Sequence, residues 1–285
     1  MDFTIERKSR NTHTIRWNIK NKKESRFDAL LISDLHWDNP HCKRELLKKH
    51  LTLAKERNAP VIVVGDFFCL MEGKGDLRSS KNIRPEHNNE NYLDSVVNTA
   101  ADWFEPYKDQ LAVVGMGNHE TSVVKRHETC MISRFCQLMR TRGGIAQESG
   151  YGGWVRFVSN YYGRKHASDM YFHHGFGGGS AATRGTGQFS SHYLNQVHAD
   201  IVVAGHVHWK ESFQRRVAFI DKNAEVQTKL VHCMRLGTYK DEYEDGAVGY
   251  HNEGARGARP LGGYWLSFQL DAGRRYYRYV TETIA

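Results

Sequence analysis

Phe27-Asp28-Ala29-Leu30-Leu31-Ile32-Ser33-Asp34-Leu35-His36 is the stretch on which the reading of this chain turns. A short apolar run bounded by polar residues reads as a buried strand, and this one ends in Asp34-x-His36. Working outward, the same pattern recurs. Val61-Ile62-Val63-Val64 follows Pro60 and ends in Gly65-Asp66. Gln110 to Val114 ends in Gly115-Met116-Gly117-Asn118-His119-Glu120. Met170 to Phe172 runs into His173-His174-Gly175, and Ile201 to Ala204 into Gly205-His206-Val207-His208.

Helical patterns separate the early strands. Leu47, Leu51 and Ala54 recur at helical spacing within Cys42 to Arg57, which predicts an amphipathic helix. Further helices are expected across Tyr92 to Phe104 and Val123 to Arg140. Strand, helix, strand, helix, strand, helix is an α/β layered order. The second half is richer in strands, at Trp154 to Ser159, Val217 to Ile220, Leu230 to Met234, Tyr264 to Leu270 and Arg275 to Val280. Asp2 to Lys20 alternates and reads as a strand or a partly ordered arm. No repeat or linker divides the chain, so one domain over 1–285 is expected, with loop insertions near 72–89, 175–187 and 246–263.

Composition narrows the class. A chain of 285 residues, 40% hydrophobic and 25% charged, suits one globular domain of generous size rather than a disordered protein. The net charge of +8 favours anionic partners such as nucleic acid or nucleotides, or serves solubility alone. The 5 cysteines are odd in number and lack CxxC spacing, which argues against a disulfide framework or zinc ribbon. Met1 to Lys8 has no apolar signal region, and no run approaches the ~20 apolar residues of a membrane span. A soluble, cytoplasmic protein with no membrane partner is expected.

Each polar cluster alone has an ordinary reading. Asp-x-His is commonly a turn, Gly-Asp terminates many strands, and Asn-His-Glu can open a helix with Asn as its cap. Five such clusters after five apolar runs strain that reading. In open α/β sheets, ligands bind beyond the carboxyl ends of the strands. Carboxylate, imidazole and amide oxygen form a donor set for manganese, iron or zinc rather than for a soft thiolate site.

Taken together, Asp34-x-His36, Gly65-Asp66, Gly117-Asn118-His119-Glu120, His174-Gly175 and Gly205-His206-x-His208 resemble the calcineurin-like metallophosphoesterases. The resemblance implies a layered α-β-β-α sandwich of two mixed sheets flanked by helices. It implies two divalent metal ions, manganese first, with iron, zinc or nickel as alternatives. Asp34, His36 and His208 would hold one, Asn118, His174 and His206 the other, and Asp66 would bridge them. Such ions sit roughly 3.5–4 Å apart and serve in-line attack on phosphorus. His119 would face the phosphoryl group as a general acid. His174 is chosen over His173 because the family's ligand directly precedes Gly. Many members carry a second Asp three positions after the bridging one; here Cys69 stands there, leaving Asp76 or Glu120 to orient His119. The expected activity is metal-dependent phosphoester hydrolysis, by a phosphodiesterase or nuclease acting on nucleic acid or nucleotides. A phosphomonoesterase and an inactive scaffold of the same fold are the alternatives.

Three further features are open to two readings. Gly175 to Gly185 could cradle a phosphate with Arg184 as clamp, or be a flexible connection. Glu72 to Asn89, with Lys74, Arg78, Lys81, Arg84 and His87, could form a lid or basic rim, or a solvated loop. Arg274 to Tyr279 mixes cations and aromatics, which suits single-stranded nucleic acid or an ordinary last strand.

Overall fold

Strands saturated with apolar side chains on both faces must be covered on both faces, and the computed structural model meets that demand with two stacked sheets. It describes residues 2–20, 26–71, 83–177, 193, 196–243, 257–271 and 276–284. The strands are β1 (Phe3–Ser9), β2 (Thr12–Ile19), β3 (Arg26–Ile32), β4 (Val61–Val63), β5 (Leu111–Val114), β6 (Gln147–Glu148), β7 (Gly152–Tyr161), β8 (Arg164–His173), β9 (Ile201–Ala204), β10 (Glu211–Ile220), β11 (Val226–Arg235), β12 (Gly263–Asp271) and β13 (Tyr276–Ile284). The helices are α1 (Arg44–Glu56), α2 (Tyr92–Phe104), α3 (Asn118–His127) and α4 (Met131–Thr141). One sheet has the order β13-β12-β3-β4-β5-β6, the other β1-β2-β7-β8-β9-β11-β10. Both are mixed: β3, β4, β5 and β6 run parallel, as do β8, β9 and β11, while the hairpins are antiparallel.

Alternation along β3 sorts its side chains between two cores. Leu30 and Ile32 face the helices, together with Val61 and Val63 of β4. Ala29, Leu31 and Ile62 point the other way, into the layer between the sheets. There they meet Ile15, Phe157, Met170 and Val203 of the facing sheet. In β5 both Ala112 and Val113 enter that layer, because the β4–β5 register slips between Val61 and Ile62.

Helices α1 to α4 pack on the outer face of the six-stranded sheet. Leu47, Leu51 and Ala54 form the buried stripe of α1; burying each Leu is worth about 1.5–3 kcal/mol. The outer face of the other sheet carries a smaller cluster around Tyr193, Val202, Val231 and Cys233.

Three local expectations change. The N-terminal arm is an antiparallel hairpin, and β2 continues into the seven-stranded sheet by parallel pairing with β7. The single helix expected over Val123 to Arg140 is two helices, broken where Glu128 adopts φ 54° as the left-handed C-cap of α3. Val217 to Ile220 and Leu230 to Met234 are parts of a longer β10–β11 hairpin. No helix of the described residues is long and apolar enough to cross a membrane.

Candidate metal centre

Because β3, β4 and β5 are parallel, the segments after them emerge at one edge of their sheet. The segments after β8 and β9 emerge together from the other sheet. Backbone bonds then lace them into one layer. Asp34, His36 and Trp37 donate to the carbonyls of Gly65, Asp66 and Phe67 at 3.1, 3.1 and 2.9 Å. Gly205 N donates to His174 O at 2.9 Å, and His206 N crosses between sheets to Asp34 Oδ2 at 3.0 Å.

These strand ends bring all seven sequence-expected metal ligands together. Asp34, His36 and His208 form one buried group whose ligand atoms lie within 4.8 Å of one another. His208 Nε2 is 3.1 Å from Asp34 Oδ1 and 3.5 Å from His36 Nε2. Asp66, His174 and His206 form a second group of the same size. His174 Nε2 lies 3.1 Å from Asp66 Oδ2 and 3.2 Å from Asn118 Oδ1. His206 Nε2 turns to Gly177 O at 2.9 Å. His173 stays outside both groups; its Nδ1 faces Tyr193 Oη at 3.0 Å and accepts from Gly175 N at 3.1 Å.

The backbone is forced into shape here. Asp34, His36, Asp66, His206 and His208 have φ of 53°, 46°, 46°, 74° and 58°. Left-handed conformations in non-glycine residues cost of order 1–3 kcal/mol each and persist where the surroundings impose them. The motif glycines have a steric reason. A Cβ on Gly117 would lie 2.0 Å from Asp66 Oδ1, and one on Gly205 would lie 2.2 Å from Ser33 Oγ and 2.7 Å from Asp34 Oδ2. Only glycine lets these turns pass so close to the carboxylates.

His119 sits at the start of α3, and its backbone N–H donates to Asp66 Oδ1 at 3.1 Å. Its Nε2 lies 3.8 Å from Asp66 Oδ2. Its Nδ1 meets the backbone carbonyl of Cys69 at 2.5 Å. Among the described residues that carbonyl, and not Glu120, holds the ring. Glu120 is engaged elsewhere: it accepts from Gly117 N at 2.7 Å and Phe68 N at 2.9 Å, clasping the Asp66 and Asn118 loops together. Asp76 lies outside the described residues. Nor is Asn118 the helix cap: Gly117 holds that position and the Asn118 side chain turns to His174.

Charge follows from this packing. Burial disfavours ionised Asp66, but His174, His119 and His36 outweigh it and hold its carboxyl well below the usual range. Burial also opposes a proton on His119, yet Asp66, then the Cys69 side chain and lastly its carbonyl raise it to about 10. The same balance, of burial against Asp66 and Asp34, brings His174 to about 9. His36 goes the other way and is kept neutral by burial. Burial and the Asp66 charge push Glu120 up to about 7.

The donor set fits divalent cations. Two buried carboxylates draw positive charge into a pocket of imidazoles. His36 Nδ1 is buried without a hydrogen-bond partner, and a buried polar atom in that state calls for one. Sequence reasoning passed over Asp38, whose carboxylate accepts from Cys69 N, Leu70 N and Tyr92 Oη at 2.5, 2.9 and 3.1 Å. Its nearness to Asp34-x-His36 is the one hint the sequence carries.

The other expected residues divide. Arg184 and the Lys74, Arg78 and Lys81 cations lie outside the described residues, as do Arg274 and Arg275. Arg84 is no rim residue: it donates to the carbonyls of Asn39, Pro40 and Cys42 at 3.0, 3.2 and 3.3 Å. His87 is buried, with Nε2 2.9 Å from Thr99 Oγ1.

No family model matches this chain, and no curated protein does. Among solved structures it is similar to GAP50, the anchor in the inner membrane complex of Plasmodium, at 12% identity and a TM-score of 0.44, over 91% of this chain and 84% of that one. It is also similar to a Thermotoga maritima protein solved by NMR, at 15% identity and a TM-score of 0.33, over 90% and 99%. At these scores neither likeness bears on what the site does.

Proposed function

We propose that this chain is a metal-dependent phosphoester hydrolase, acting on phosphodiesters of nucleic acid or nucleotides. The observation that carries the reading is the convergence of two metal-sized groups, each built on one buried carboxylate, with a histidine between them that ligates neither. Asp34, His36 and His208 would hold one cation, and Asn118, His174 and His206 the other. Asp66 would serve both, because its carboxylate is charged, buried and faces His174. Bound cations would supply an activated water and offset charge on the phosphoryl oxygens.

The residues of the chain supply the rest. His119 holds a proton on Nε2 while Nδ1 is tied to the Cys69 carbonyl, the arrangement a general acid needs for a leaving alkoxide. Glu120 ties the loop carrying His119 to the loop carrying Asp66, and Asp38 ties the latter to the Asp34 loop. The net charge of +8 favours an anionic substrate.

Manganese-dependent hydrolysis of bis-p-nitrophenyl phosphate beside p-nitrophenyl phosphate tests the reading. Preference for the diester is expected, with kcat reduced about 10²- to 10⁴-fold in His119→Ala, the usual worth of a general acid. Preference for the monoester would replace the diesterase reading. Full activity in His119→Ala would remove this histidine from the chemistry.

A further inference from the structure

The backbone carbonyl of Cys69 serves His119, but its thiol occupies the centre without a role in the hydrolytic scheme. Its Sγ, together with a ring nitrogen of His36 and of His119, forms a third group within 4.8 Å, distinct in composition from the other two. None of the other four thiols, Cys42, Cys130, Cys136 and Cys233, belongs to such a group among the described residues.

The thiol is held in place. Cys69 N donates to Asp38 Oδ1 at 2.5 Å, Cys69 O receives His119 Nδ1, and Asn39 Nδ2 donates to the sulfur at 3.4 Å. With Nδ1 committed to that carbonyl, Nε2 is the His119 nitrogen left to face a cation, which would displace the proton it carries. His36 is 2% exposed and carries a nitrogen without a hydrogen-bond partner. One thiol and two imidazoles are a softer set than the carboxylate-containing groups beside them, and thiolate ligands select zinc over manganese. Zinc bonds of about 2.0–2.3 Å place tetrahedral ligands roughly 3.5 Å apart. A small contraction of this group therefore reaches zinc geometry.

We propose that Cys69, His119 and His36 form a zinc-selective inhibitory site. Occupation would draw His36 away from Asp34 and His208, and would take the Nε2 of His119 out of use as a proton donor. Zinc here and the hydrolytic cation pair would exclude each other. The site itself needs no hydrolytic activity; only the inhibition rests on the proposed function.

Cobalt(II) absorption of the full chain separates the two ideas. A thiolate-to-cobalt charge-transfer band is expected in the wild type and in Cys130→Ser, and absent in Cys69→Ser, with d–d bands in all three. Zinc added to the wild type should abolish the charge-transfer band, a measurement that needs no variant. In manganese-supported diester hydrolysis, the half-inhibiting zinc concentration should rise at least about tenfold in Cys69→Ser, the scale on which groups tuning a metal site act. Wild-type d–d bands without a charge-transfer band would overturn the thiol site and leave the hydrolase reading standing. So would a charge-transfer band that survives in Cys69→Ser. Equal zinc sensitivity in the two proteins would overturn the inhibitory role. Absence of all cobalt bands would remove both readings.

Discussion

The two halves of the centre are built differently. In the half formed by Asp34, His36 and His208 every side chain is buried, at 0%, 2% and 7% exposure, and every residue has a left-handed backbone. In the half formed by Asn118, His174 and His206 only His174 is fully buried, and only His206 has positive φ. His206 reaches its place from the rim and bonds to a loop carbonyl. Strain and burial concentrated in the first half mean that its donors are preorganised and cannot be replaced by water. The second half can lose a ligand and let solvent in. Preorganised sites bind more tightly because less ordering remains to be done on binding. The first half should therefore hold its cation more firmly, and the second should exchange.

The largest effect would come from Asp66→Asn, which removes the carboxylate proposed to serve both halves. Outer-shell partners of metal ligands are worth about 10–100-fold in affinity or activity, so loss of a carboxylate that serves both halves should exceed 100-fold in manganese-supported turnover. Metal analysis after dialysis should find fewer than two equivalents. Retained turnover with two equivalents would show that Asp66 does not join the halves.

Next in size is the contrast between His208→Ala and His206→Ala. His208→Ala strips Asp34 Oδ1 of its neighbour inside a buried pocket. It should cost about 100-fold in affinity for the first cation, at the upper end of the outer-shell range. His206→Ala leaves a gap at the rim that water can fill, and about 10-fold is expected for the second cation. Equilibrium dialysis against manganese measures both, and equal losses would erase the asymmetry.

The last contrast is in pH. The proton on His174 must leave before a cation binds, and it is present below about 9, where Asp66 overcomes burial to hold it. Affinity of the second half should thus fall about tenfold for each pH unit below 9. His36 is neutral already, and Asp34 is already ionised because, against burial, His208 and His174 lower its pKa. Neither has a proton to release at neutral pH, so the first half should show a shallower slope. Calorimetric titration of His206→Ala and His208→Ala across pH 6–9, a range set by the His174 value of about 9, isolates the two slopes. Equal slopes would show that His174 carries no extra proton.

Much of this was legible from local order. An apolar run followed at once by Asp34-x-His36 or Gly65-Asp66 announces a strand end with a polar cargo, and helix α2 falls on the expected residues. The break between α3 and α4 was not, because Glu128 is an ordinary helix former and takes its left-handed conformation only in this context. Arg84 looked like a rim cation because charge is visible in a sequence and its acceptors, three backbone carbonyls, are not.

What the sequence determined by itself was the inventory of candidate donor residues and its place at strand ends. Those depend on residue type and short spacing, and the chain states both directly. What only the tertiary structure decided was which atoms meet. His119 is oriented by the carbonyl of Cys69, 50 residues away, and the loops are clasped by Glu120 across 52. His206 N reaches Asp34 across 172. Every residue carries a backbone carbonyl and all but proline an N–H. Residue type therefore does not mark which of them will be used, and the choice falls to how the strand ends meet within one sheet and between the two.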